Sequence, residues 1–204
     1  MNDWTKEQNS VYKTIGASNH TKDAREPDDY YATDPKAIDK LLMVERPSDY
    51  IWECACGEGH LSKRLKECGH FYVMSSDIVR RNDECTFVAD FLKLNYAPGF
   101  TGIDEFDIIT NPPYKNAKEF VLKALELLPY GCRCFMFLKL TFLEGKARYD
   151  DIFKATPPKA VYVMTERVQC AKNGDFEKYK NGALAYAWFV WQKGWTGKTI
   201  LGWV

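Results

Sequence analysis

The sequence predicts an α/β domain with a largely parallel sheet covered by helices on both faces, and three observations point there. Short apolar runs alternate with amphipathic stretches from residue 35 onward. The runs are continuously apolar, as strands buried on both faces require. Polar residues close several of them, Asp77, Asp90 and Asn111 among these, and in such sheets ligands bind beyond the carboxyl ends of the strands.

Residues 1–29 are polar and lack a sustained apolar period, which predicts a poorly ordered N-terminal arm ahead of a single domain over 30–204. Ala37, Ile38, Leu41 and Leu42 have helical spacing, with Asp34 suited to the N-cap and Pro35 to the first helical position. Tyr50–Cys54 reads as a strand, Leu61–Cys68 as a helix and Phe71–Ser75 as the next strand, ending at Ser76-Asp77. Thr86–Ala89 and Phe106–Thr110 follow as strands, then a helix over Ala117–Leu128 and a strand over Cys132–Leu138. A helix is expected over Leu143–Lys154, strands over Ala160–Met164 and Ala183–Trp191, and an edge strand over Thr199–Val204.

Composition narrows the function classes. With 46% hydrophobic and 27% charged residues in 204, the chain can bury a substantial core. Lys plus Arg and Asp plus Glu both number 28, which excludes a protein that coats nucleic acid by charge alone. The charge is unevenly spread: residues 1–110 hold 13 basic and 20 acidic side chains, and residues 111–204 hold 15 and 8. A polyanionic partner should therefore meet the second half. Seven cysteines at irregular positions, with no charged-then-apolar leader, suggest a reducing cytoplasm. No apolar run approaches the ~20 residues of a membrane span.

Glu53-Cys54-Ala55-Cys56-Gly57-Glu58-Gly59-His60-Leu61 joins a strand to a helix. Glycines at 57 and 59 permit a sharp turn and close approach of a ligand to the backbone. Asp77 lies 20 residues beyond Gly57, where a carboxylate can accept both hydroxyls of a ribose. Asp90, at the end of the third strand, can accept from an exocyclic amine of an adenine ring. A Gly-x-Gly turn alone also fits a plain strand-to-helix connection.

Asn111-Pro112-Pro113-Tyr114 is more specific. Each proline biases the preceding residue toward extended backbone, so the tetrad forms a stiff turn at a strand end. It offers the Asn111 amide oxygen and the Pro112 carbonyl to the two N–H bonds of a planar amino group, with the Tyr114 ring to stack on. Because the lone pair of such an amine is delocalised, acceptors out of its plane help most in the transition state, where the nitrogen is pyramidal.

Together these elements resemble the S-adenosylmethionine-dependent adenine-N6 DNA methyltransferases. Tyr31-Ala32-Thr33-Asp34-Pro35 is similar to that family's first cofactor segment, Glu53–Leu61 to its Gly-rich loop, and Asn111–Tyr114 to its catalytic tetrad. The likeness covers about residues 30–191, and the small size resembles the solitary enzymes of phages and prophages. It implies a Rossmann-like methyltransferase fold, seven-stranded and mostly parallel with the last strand antiparallel. It further implies S-adenosylmethionine held by Thr33, Glu53, Ala55, Cys56, Gly57, Gly59, Asp77, Ile78, Asp90, Phe91 and Asn111, with Asn111, Pro112, Pro113 and Tyr114 catalytic. The substrate it implies is adenine flipped out of DNA. Two departures stand out: Ala55 occupies a position often glycine, and no separate target-recognition domain is visible.

Substrate contacts are expected from Lys139 and Arg148 after the fifth strand, and from Lys172, Lys178 and Lys180 in the 17-residue polar stretch 166–182. The resemblance would set Tyr186 against the flipped base. Cys54, Cys56, His60, Cys68 and His70 fit no common zinc spacing, so no metal is expected. RNA adenine, a glutamine side chain of a protein, and a non-catalytic cofactor-binding or DNA-binding remnant stay open as alternatives. The tetrad suits any planar amine or amide, and the sequence does not specify an oligomeric state.

Overall fold

The computed structural model describes residues 32–168, 170–171, 176 and 184–204. The expected arm, Tyr31, and the lysines at 172, 178 and 180 lie outside the described residues.

The strands are β1 (Ala32–Thr33), β2 (Tyr50–Glu53), β3 (Tyr72–Asp77), β4 (Phe87–Val88), β5 (Asp107–Thr110), β6 (Arg133–Lys139), β7 (Ala160–Val163), β8 (Cys170–Ala171), β9 (Tyr186–Gln192) and β10 (Ile200–Trp203). Helices α1 (Lys36–Leu42), α2 (His60–Glu67), α3 (Ala117–Leu127) and the single turn α4 (Lys146–Arg148) connect them. Eight strands form one sheet in the order β10-β7-β9-β6-β5-β2-β3-β4. All neighbours are parallel except β9, which runs antiparallel to both β6 and β7.

Three expectations need correction. The sheet has eight strands instead of seven. The antiparallel strand is the penultimate one, because β10 pairs in parallel with β7 at the sheet edge. The segment expected as one helix over 143–154 is a short 3-10 turn, the single turn α4 and then a π turn over Tyr149–Phe153. At α1, Asp34 does cap: its carboxylate accepts from the Lys36 N–H at 3.0 Å and its carbonyl from the Ala37 N–H.

The continuous apolar strands feed two cores, one on each face. Ile51, Ile109, Phe135 and Trp188 face α1 and α2, and their neighbours Trp52, Ile108, Met136 and Phe189 face α3. The indoles of Trp52 and Trp188 are satisfied, Trp52 by Ser76 Oγ at 2.9 Å, Trp188 by the Ala37 carbonyl at 2.8 Å. From β2 the chain runs outward through β3 and β4, then returns to β5 on the other side of β2. The order therefore reverses between β2 and β5, and the crevice at their carboxyl ends is where an open α/β sheet places a ligand.

Candidate active site

At that crevice lies a cavity of about 410 Å³, within the range of small-molecule sites. It gathers residues expected from five separate stretches of sequence: Thr33, the 53–56 segment, Asp77 with Ile78, Asp90 with Phe91, and the whole tetrad 111–114. Gly57 and Gly59 do not line it; they shape the turn. Both have positive φ, and Gly57 gives its N–H to Asp77 Oδ2 at 2.8 Å. Side chains that sequence reasoning missed also line it, among them His60, Arg81 and Phe120.

The three acids sit in different environments. Glu53 is wholly buried at the end of β2 and accepts the Ser62 N–H at 2.7 Å and the Ser62 hydroxyl. Burial pushes its pKa up from 4.5 to about 8, so it is largely protonated at neutral pH. Asp77 accepts from Gly57, from the Val79 N–H at 3.1 Å, and from Arg81 at 2.9 Å. Asp90 accepts the Leu92 N–H at 3.2 Å and pairs with exposed Lys93. Phe91 stacks on Phe120 with ring centroids 4.9 Å apart, so an apolar wall stands beside the carboxylates.

In the tetrad, the Asn111 amide nitrogen donates to Thr33 Oγ1 at 2.8 Å and lies 3.6 Å from Cys170 Sγ. Its amide oxygen is buried and accepts no hydrogen bond among the described residues. That is an acceptor held out of water beside a cavity, which costs stability unless something else uses it. Pro113 gives its carbonyl to the Asn116 N–H at 2.9 Å, opening the turn Tyr114–Asn116 that leads into α3. Burial pushes the Tyr114 phenol well above its usual pKa, so it stays neutral.

The expected substrate residues fare differently. Lys139 is beside the site, its ammonium 4.4 Å from the centre of the Tyr114 ring. Arg148 donates to the carbonyls of Thr141 and Glu144 and lies over Phe142, closing the turn after β6. Tyr186 is buried, stacked on Phe137 at 5.2 Å and tilted against Tyr114 at 6.2 Å. It backs the Tyr114 ring and does not line the cavity.

Sequence reasoning also missed the antiparallel ribbon of β1 with β8, which sets Thr33 opposite Cys170. From the stretch 166–182, Phe176 meets the His60 ring edge-on at 5.6 Å. Burial pushes the Cys54, Cys56 and Cys170 thiols up, so none is a thiolate nucleophile at neutral pH. Among the described residues no three His, Cys, Asp or Glu side chains gather as a metal-ligand set, and no helix is long and apolar enough to cross a membrane.

No family model matches the sequence, and no curated protein matches it. Solved structures do. A protein from Listeria monocytogenes assigned to the class I S-adenosylmethionine-dependent methyltransferases superposes over 97% of this chain and 71% of its own, at 14% identity and a TM-score of 0.55. The 23S rRNA methyltransferase ErmE covers 80% of this chain and 69% of its own, at 17% identity and 0.51. A structure concerned with converting a disulfide bond into a thioacetal during echinomycin biosynthesis covers 95% and 94%, at 14% and 0.51. The chain has the Rossmann-like fold of class I methyltransferases.

Proposed function

We propose that the protein transfers a methyl group from S-adenosylmethionine to the N6 amine of adenine in DNA. The observation that carries the reading is the buried, unpartnered amide oxygen of Asn111 in a cavity whose other walls include three strand-end acids. The residues present suit the cofactor. Asp77 and Asp90 offer carboxylate oxygens where a ribose and an adenine amine would need acceptors, and Ile78, Phe91 and Phe120 supply apolar surface for a ring. When bound, S-adenosylmethionine supplies an activated methyl group on a sulfonium.

The chain's own residues deal with the acceptor amine. Asn111, with the Pro112 carbonyl beside it, accepts the amine N–H bonds and favours the pyramidal nitrogen of the transition state. Tyr114 offers a neutral aromatic face to the base. No nucleophilic side chain is needed, in keeping with the protonated thiols around the site. A base paired in a duplex hides this amine, so the target must be extruded. The excess of basic residues after position 110 supports a polyanionic substrate.

The test is transfer of labelled methyl from S-adenosylmethionine, with plasmid DNA, total RNA and protein offered separately and the products digested to single nucleosides or amino acids. Label in N6-methyladenine from DNA is the expected result. Label only in RNA adenine or only in protein glutamine keeps the chemistry and replaces the substrate; no label in any arm, with cofactor binding intact, favours the non-catalytic alternative.

A further inference from the structure

We infer that Thr33 and Cys170 are positioning residues for the tetrad, gripping the amide nitrogen of Asn111 so that its oxygen is the atom left for the cavity. The inference rests on the proposed methylation of an amine. An asparagine amide is nearly symmetric in shape, with an acceptor at one end and two donors at the other. Turned the wrong way, it would meet the N–H bonds of a target amine with N–H bonds of its own. Something must choose the end, and in this chain it comes from outside the tetrad.

Thr33 Oγ1 lies 2.8 Å from the Asn111 nitrogen and Cys170 Sγ lies 3.6 Å from it. A hydroxyl can donate or accept, so Thr33 alone would not decide. Cys170 Sγ stands at the same nitrogen, so both N–H bonds of the amide have an acceptor while the oxygen has no partner, and the two contacts together tell one end from the other. The two residues stand opposite each other on the β1–β8 ribbon, in register Thr33 to Cys170. A ribbon outside the main sheet thus sets the orientation of an amide at the end of β5.

The arrangement assigns Thr33 work distinct from gripping the cofactor, although it shares the cavity wall. The experiment compares Thr33→Val, Thr33→Ser and Cys170→Ala in the full chain, with kcat for methyl transfer to DNA measured beside cofactor affinity by calorimetry. Valine keeps the shape and deletes the acceptor. Its kcat should fall on the order of 10- to 100-fold with cofactor affinity changed less than about threefold; Thr33→Ser should recover most of the rate and Cys170→Ala should lose less than the valine variant. A Thr33→Val protein that loses cofactor affinity while keeping kcat would overturn the inference.

A second measurement addresses the contact independently of turnover. The Tm losses of Thr33→Val and Asn111→Ala should fail to add in the double variant, because the two changes remove one shared hydrogen bond. Additive losses would overturn the contact. Coupled losses in a protein that methylates no substrate would refute the proposed function, and the catalytic role of the grip with it, while the contact itself stood.

Discussion

Arg81 Nη1 lies 2.9 Å from Asp77 Oδ1, so the acid expected to hold a ribose already carries three donors from the protein. A carboxylate has about four lone-pair sites, and two ribose hydroxyls need more than the one left. Arg81 is the donor that can leave, because the others are backbone N–H groups fixed by the turn. Asp77→Ala should weaken S-adenosylmethionine binding by about 1.5–3 kcal/mol. Arg81→Met should strengthen it about two- to fivefold, since it frees an acceptor site on Asp77 and leaves the two backbone donors in place. Calorimetry on both variants checks the pair, and weaker binding in Arg81→Met would show that the guanidinium itself contacts the cofactor.

Glu53 ties stability to pH. Its pKa rises from 4.5 to about 8 on burial, so the folded chain holds a proton that the unfolded chain has released between those values. The native state then binds more protons, and stability falls as pH rises through that window, by on the order of a few kcal/mol. Below about 4.5 the contribution is fully present. Glu53→Gln keeps an acceptor for Ser62 without a charge, so its Tm should change less between about pH 5 and about pH 8 than that of the parent. A parent protein whose Tm rises over that interval while Glu53→Gln stays level would contradict the assignment.

At the opposite end of the sheet, Arg133 at the start of β6 bridges Asp107 and Glu45, each at 2.9 Å. Asp107 is 1% exposed, and burial raises its pKa despite the arginine. Arg133→Met would strand a buried carboxylate, which typically costs about 3–5 kcal/mol. Urea denaturation should show that loss. Because the site lies at the carboxyl ends of β2 and β5, turnover per folded molecule should stay near the parent value, and a selective loss of turnover would tie this network to the chemistry.

Tyr114 and Lys139 make a local prediction about substrate. With the ammonium 4.4 Å from the ring centre, the Tyr114 face is an electron-rich surface that already attracts a cation. Tyr114→Phe retains a stacking ring and should cost little turnover, whereas Tyr114→Ala should raise KM for DNA and lower kcat, stacking being worth about 1–3 kcal/mol per base. Equal losses in both would make the hydroxyl the essential group.

Much of this was legible because it is local or periodic. Continuous runs such as Phe135–Leu138 announce strands with two buried faces, and the turn Gly57–Gly59 and the tetrad each mark a strand end within a few residues. What stayed hidden is non-local. Nothing near Thr33 or Cys170 signals that they pair across most of the chain, and a two-residue strand is too short to have a period. The charge of Arg148 is visible in sequence, but its carbonyl partners in the turn after β6 are not. The stacking of Tyr186 on Phe137 behind the Tyr114 ring joins three separate stretches of sequence and has no local signal. Segment 143–154 has a helix's apolar spacing, yet Gly145 takes φ 115°, outside the helical region, so no single helix runs through it.

If the Asn111 amide oxygen accepts from the target amine mainly in the transition state, the single-turnover rate of Asn111→Ala on adenine-containing DNA reports it directly. The rate should fall on the order of 100-fold or more with cofactor affinity and most DNA affinity retained, and Asn111→Asp, still an acceptor, should lose less. A folded Asn111→Ala protein that methylates adenine at the parent rate would contradict the account.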